Sequence, residues 1–220
     1  MKKTFFLLTL PLLIISCTTT STDLETLKFD TDILSIIKDS TKFEKDKNVD
    51  YGNVAYVTEE VDIFKYGNVV FSNLKMRDTE KNSLISYTSS ISLYVDNFKS
   101  NKFSGYILTI ENEKEGIELL NYIKGKFGKP LRENIYNKNN HLQSNYLWDD
   151  KKRNQVVYIS QNTESFSGGK NKFISTELTV LKRGLKLVPD EGTDPEKLKK
   201  ILEENPNALE VIEILKNRFY

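Results

Sequence analysis

Between Ser83 and Val95 the chain changes character at every second residue. Ile85, Tyr87, Ile91, Leu93 and Val95 share one side with Ser89, while Ser86, Thr88, Ser90 and Ser92 share the other. A period of two with one apolar and one wet face is that of an antiparallel sheet laid over a core, so the fold must supply a layer to cover the apolar face. Adjoining segments extend the sheet. Asn53–Thr58 and Asp62–Phe71 are rich in Val, Phe and Tyr, with Gly67-Asn68 placing a turn or a bulge inside the second. A turn over Asn97–Lys102 leads to a strand over Phe103–Ile110, with Tyr106, Leu108 and Ile110 on one side.

The covering layer follows at once. Asn112 with Glu115 three residues on is a capping-box-like start. Ile117, Leu120, Ile123 and Phe127 are the expected apolar stripe of this helix, and Gly128-Lys129-Pro130 ends it with a left-handed position and a residue that cannot continue. Upstream, a short helix is expected around Asp32–Asp39 and a solvated loop over the charged Lys42–Asp50. Downstream, a polar excursion over Asn137–Asn145 precedes strands at Tyr146–Trp148, Gln155–Gln161 and Lys172–Lys182, with Gly168-Gly169 in the last loop.

Past Lys182 the pattern becomes helical again. Asp194-Pro195 is an N-cap followed by proline at the first helical position, and Leu198, Ile201 and Leu202 form a short stripe. Asn205-Pro206 repeats the start signal before Ala208, Val211, Ile212, Leu215 and Phe219 at helical spacing. The expected fold is α+β: a mostly antiparallel sheet, one main packed helix and two short C-terminal helices. The C-terminal pair is expected to pack on the sheet, the alternative being that the last helix is displayed for a partner groove.

The N-terminus carries a different message. Met1-Lys2-Lys3, an apolar run from Phe5 to Ile15, Ser16 and then Cys17 have the order of a secretory signal, and the run is too short to span a bilayer. The segment resembles the lipobox signal of bacterial lipoproteins, with Ile14 where leucine is usual. The resemblance implies cleavage before Cys17, a diacylglycerol on its thiol and acylation of the new amino terminus, palmitate being the typical chain. Thr18 stands where aspartate would retain such a protein in the inner membrane. This implies the outer membrane of a Gram-negative envelope, on the periplasmic or the surface side. Two or three acyl chains hold a protein durably where one holds marginally. Four parts are therefore expected: a signal peptide over 1–16, a lipidated Cys17 and tether over 17–23, an α+β domain over 24–183, and a loop with the C-terminal helical pair over 184–220.

Composition narrows the partners. Without residues 1–16 the 32 basic residues lose Lys2 and Lys3, leaving a charge near −1 against 31 acidic residues. That balance argues against nucleic acid and against a polybasic grip on anionic lipid. With the only cysteine at position 17 no intramolecular disulfide can form, so a core built from the 38% apolar content must carry the fold.

The order of helix, Gly128-x-Pro130 and a strand with Trp148 is similar to a unit of small bacterial envelope lipoproteins, including outer-membrane-protein assembly factors, over residues 113–160. A helix stop and a core tryptophan have structural causes, so no function is carried over from it.

Catalytic and metal motifs fail one by one. His141 is the only histidine, and no Gly-x-Ser-x-Gly elbow accompanies it. Asp46-x-Asn48-x-Asp50 opens like a calcium loop but has Tyr51 where glycine and Val57 where glutamate are required. Asp149 and Asp150 follow an aromatic residue as in sugar sites, yet adjacent strand residues point to opposite faces. Asp149–Asn154 reads instead as a hairpin turn. Gly168-Gly169-Lys170 lacks the remaining residues of a phosphate loop. No catalytic residue, cofactor or metal is expected, and Cys17 is the one modification site. The expected role is that of a membrane-anchored envelope protein that binds a ligand or protein or supports an assembly. Its protein partner would meet a sheet face or the last helix. The alternatives are an envelope hydrolase acting through carboxylates and an immunity- or inhibitor-type binding lipoprotein.

Overall fold

The computed structural model describes residues 21–50, 53–77, 86–166, 171–186 and 194–219. The strands are β1 (Thr22–Asp23), β2 (Glu44–Asp50), β3 (Asn53–Thr58), β4 (Phe64–Tyr66), β5 (Val69–Val70), β6 (Lys75–Arg77), β7 (Ser86–Thr88), β8 (Ser90–Val95), β9 (Phe103–Ile110), β10 (Arg132–Lys138), β11 (His141–Asp150), β12 (Gln155–Phe166) and β13 (Asn171–Lys182). The helices are α1 (Glu113–Phe127), α2 (Pro195–Glu204) and α3 (Val211–Asn217). The architecture is α+β. Eight strands form one sheet in the order β10-β11-β12-β13-β9-β8-β3-β2, and every pairing in it is antiparallel.

Alternation along the strands makes two cores. Leu93, Tyr106, Leu108, Trp148, Ile159 and Leu178 lie in the larger, beneath α1 and the segments carrying Leu24, Ile33, Phe64 and Tyr66. On the other face Tyr94, Leu147, Val156, Tyr158 and Leu181 meet Val211, Ile212 and Leu215 of α3. The last helix thus lays its stripe on the sheet, whereas Ile201 of α2 stays exposed.

Helix α1 begins where Asn112 accepts from the Glu115 N–H and stops at Gly128, whose φ is 66°. Its buried residues are Gly116, Leu119, Leu120 and Ile123, while Ile117 is exposed, so the stripe is rotated from the expected one. The rotation has a local cause. A Cβ on Gly116 would stand 2.2 Å from Thr176 Oγ1, and the bare glycine lets the helix sit directly on β13.

Other expectations need correction. The helix expected over Asp32–Asp39 is a single 3-10 turn, Ile33–Ser35. Asp32 accepts from Leu34 N and Asp39 from Thr41 N, so each aspartate closes its own short turn instead of continuing one helix. Lys42–Asp50 is no loop, because Glu44–Asp50 forms the edge strand β2, bulged between Asp46 and Asp50. The strand expected over Ser83–Val95 breaks at Ser89, where Ser89 N donates to Leu74 O and its hydroxyl accepts from Glu111 N. Residues 83–85, the Gly168-Gly169-Lys170 loop and Tyr51 lie outside the described residues.

The excursion at Asn137–Asn145 is a regular hairpin between β10 and β11, turned by Asn139 and Asn140 with φ of 55° and 57°. Gly67, at φ 60°, makes the turn between β4 and β5, and a Cβ there would meet the Tyr122 ring. Asp194 caps α2 as expected. Asn205 caps only a turn, by accepting from Asn207 N, and α3 starts later, at Val211.

Candidate functional site

Two hollows open beside α1 and the N-terminal segments, and a network of charges adjoins the one at the end of α1. The first, of about 560 Å³, sits where α1 ends; Phe127, Pro130 and Trp148 form its apolar wall and Lys126, Asp149 and Asp150 its polar one. Its geometry depends on the helix stop. Trp148 Nε1 donates to Gly128 O at 2.9 Å, which satisfies a carbonyl left open at the end of α1. The indole also packs on Tyr146 at 6.0 Å and on Phe127 at 6.2 Å. Lys124 Nζ stands 3.9 Å from the centre of the Tyr146 ring. The glycine, the proline and the tryptophan therefore act together as a clamp holding the helix end on β11.

The two carboxylates beside Trp148 are held by different partners. Asp149 faces α3 and is bridged by Arg183 Nε at 2.7 Å. Asp150, on the α1 side, accepts from Gln155 Nε2 at 3.0 Å and from Arg153 N at 3.2 Å. Residues 151–154 form the turn between β11 and β12. His141 opens β11 at the exposed hairpin tip, 6.4 Å from the Tyr136 ring. Among the described residues no group of three or more His, Cys, Asp or Glu side chains converges on a metal-sized point. Asp46 lies on β2, and Cys17 is outside the described residues.

Sequence reading did not find the charge network. Glu25 joins Lys126 and has Arg153 at 3.7 Å, while Tyr122 donates its hydroxyl to Glu25 Oε2 at 2.7 Å. Lys126 Nζ is 5.6 Å from the Tyr66 ring, 5.8 Å from Tyr122 and 5.6 Å from Phe127, an aromatic cage for a cation. Burial works to raise the Glu25 carboxyl, but the bonds from Lys126 and Tyr122 and the charges of Lys126 and Arg153 prevail and hold it below its ordinary value. At the other end of α1, burial pushes Glu111 up. A hydrogen bond with Ser175 opposes this and the charge of Glu164 adds to it.

The second hollow, of about 480 Å³, lies under the N-terminal segments. Ile36, Ile37, Phe43 and Phe64 form its floor; Lys42 and Glu60 pair across its rim at 2.5 Å. Ser21 and Thr22 are part of its wall. Both hollows fall in the size range of small-ligand sites. Comparison with known proteins adds no relative: no family model, no curated protein and no solved structure matches the chain. Among the described residues no helix is long and apolar enough to cross a membrane.

Proposed function

We propose that the chain is a lipid-anchored bacterial envelope protein whose folded domain binds rather than catalyses. The observation that carries this reading is the order at the N-terminus: Lys2-Lys3, the apolar run to Ile15, Ser16, Cys17 and a polar Thr18–Thr22. The first described strand, β1, begins only a few residues later, at Thr22. At no more than about 3.5 Å per residue, such a tether keeps the domain against the surface that holds the lipid. The side chains at the hollows support binding, because Asp149, Asp150, Lys42 and Glu60 are each engaged by a neighbour. With Thr18 after the cysteine, the outer membrane is the expected address in a Gram-negative cell.

The rival reading, a hydrolase working through carboxylates, draws on Glu111, raised by burial and by the charge of Glu164. Glu111 lines neither of the two hollows described above.

The test is metabolic labelling with an alkyne-bearing fatty acid, comparing the full chain with Cys17→Ala and separating the membranes. Label on the unchanged chain alone, recovered with the outer membrane, is the expected result. An unchanged chain without label, or label that persists in Cys17→Ala, would overturn the anchor.

A further inference from the structure

The hollow under the N-terminal segments has a floor and a rim of opposite character. Its floor is apolar, built from Ile36, Ile37, Phe43, Ile63 and Phe64. Two lysines, Lys38 and Lys42, and three carboxylates, Asp39, Glu60 and Asp62, surround the opening, so the rim is net negative. Lys42, moreover, is taken by Glu60, and Asp39 by the backbone and hydroxyl of Thr41. A ligand with an anionic head, such as a free fatty acid or a phospholipid, would bring like charge to that rim and find Lys42 already paired. A hydrocarbon chain without a charged head meets no such penalty and gains the burial of its methylenes.

The chain itself supplies such a group under the lipid-anchor reading. Acyl chains attached at Cys17 through a thioether-linked glycerol, or through an amide on its nitrogen, carry no charge at the linkage. Cys17 lies four residues before Ser21, and Ser21 is part of the wall of the hollow. Four residues reach at most about 14 Å, so an acyl chain would start within one short tether of the opening.

We infer that this hollow shelters one acyl chain of the Cys17 lipid, an inference that rests on the lipid-anchor proposal above. The hollow is partly open and a bilayer competes with it for the chain, so the hollow matters most where no bilayer is at hand. A volume of about 480 Å³ suits one chain and not three. A triacylated protein with one chain withdrawn keeps two in the membrane, enough for a stable hold.

The experiment uses the full-length protein in cells fed a palmitate analogue with a terminal alkyne and a mid-chain diazirine. The protein is purified away from bilayer lipid before irradiation, and its peptides are then mapped by mass spectrometry. The expected result is probe on Cys17 and a crosslink from it to the peptides carrying Phe43 or Ile63-Phe64 of the same chain. Copies of two isotopic compositions distinguish same-chain from between-chain products. Ile63→Glu, at a half-buried position of the floor, is expected to lower the crosslink yield by about tenfold by placing an unpaired charge there, with labelling of Cys17 unchanged.

Probe on Cys17 with photoproducts only outside the peptides carrying Phe43 or Ile63-Phe64 overturns the sheltered chain and leaves the anchor standing. Absence of probe from Cys17 overturns the anchor and with it this inference. Crosslinks to Phe43 or Phe64 that persist in Cys17→Ala show a lipid taken from outside the chain, and overturn the assignment to Cys17.

Discussion

A glutamate packs at each end of helix α1, half-buried Glu25 at one and buried Glu111 at the other, and the two are treated in opposite ways. Near the C-terminal end Glu25 is surrounded by Lys126, Arg153 and the Tyr122 hydroxyl, and its carboxyl is held low. At the N-terminal end Glu111 is 6% exposed, and its Oε2 meets no hydrogen-bond partner among the described residues; its carboxyl is pushed up. The helix dipole helps place Glu113 and Glu115 in the first turn and Lys124 and Lys126 in the last, but it does not explain the contrast. What differs is whether a cation was brought in from elsewhere in the chain. Burial alone makes a carboxylate costly, and partial burial with a caged ammonium makes it a fastening between the turn carrying Glu25 and the helix.

Lys126→Met should have the largest effect, because it keeps the aliphatic stem but strips Glu25 of its nearest cation. A loss on the order of 2 kcal/mol is expected, between the scales of exposed and fully buried pairs, because Glu25 and Lys126 are half-buried and Arg153 remains. The pH dependence carries the sign. Glu25 is lowered in the folded state, so its contribution is present above the unfolded carboxylate value of about 4.3 and is lost as pH falls through the folded value. Urea unfolding of the two proteins should therefore differ fully at pH 7 and converge in acid. Equal stability at pH 7 would show that the network is ornament.

The clamp at the same end can be weighed separately. Trp148→Phe retains a ring against Tyr146 and Phe127 but leaves the Gly128 carbonyl without its donor. Denaturant midpoints should register a loss of about 1–2 kcal/mol, and no loss would mean that the glycine-proline stop holds by itself.

That clamp was half legible before any coordinates, and the half that was missing explains much else. Asn112, Gly128 and Pro130 mark α1 through local backbone rules, and they mark it correctly. Its buried face was misjudged because Gly116 counts as neutral in a hydrophobic pattern yet makes the closest approach to β13. Edge strands escaped for a related reason. Glu44–Asp50 and Arg132–Lys138 are largely polar, since an edge is guarded by charge, and so they resemble loops. Ser89 broke a well-patterned strand through bonds to Leu74 and Glu111 that no alternation records. Glu25 and Lys126 are far apart in the chain, and Asp30 and Lys182 farther still. Pairs of that kind leave no trace in spacing, which is why the network beside the first hollow is invisible in the sequence, where Phe127 and Trp148 read only as core residues.

The smallest expected effect is the one that bears most directly on the contrast. Glu111→Gln should stabilise the protein at neutral pH by about 1 kcal/mol, the scale of one poorly paired buried polar group. The reasoning follows from the direction of the shift. Glu111 is raised in the folded state, so below the unfolded value of about 4.3 both states carry the proton and the substitution gains nothing. As pH climbs toward and through the folded value, the unfolded chain ionises freely while the native protein must either hold the proton or bury a charge near Glu164. Stability of the unchanged protein then falls relative to Glu111→Gln. Thermal unfolding at pH 4 and pH 7 should thus show two coincident curves and two separated ones, the reverse of the charge dependence at Glu25. Destabilisation by the glutamine at pH 7 would mean that the carboxylate is engaged as an anion after all, and the two ends of α1 would then be alike.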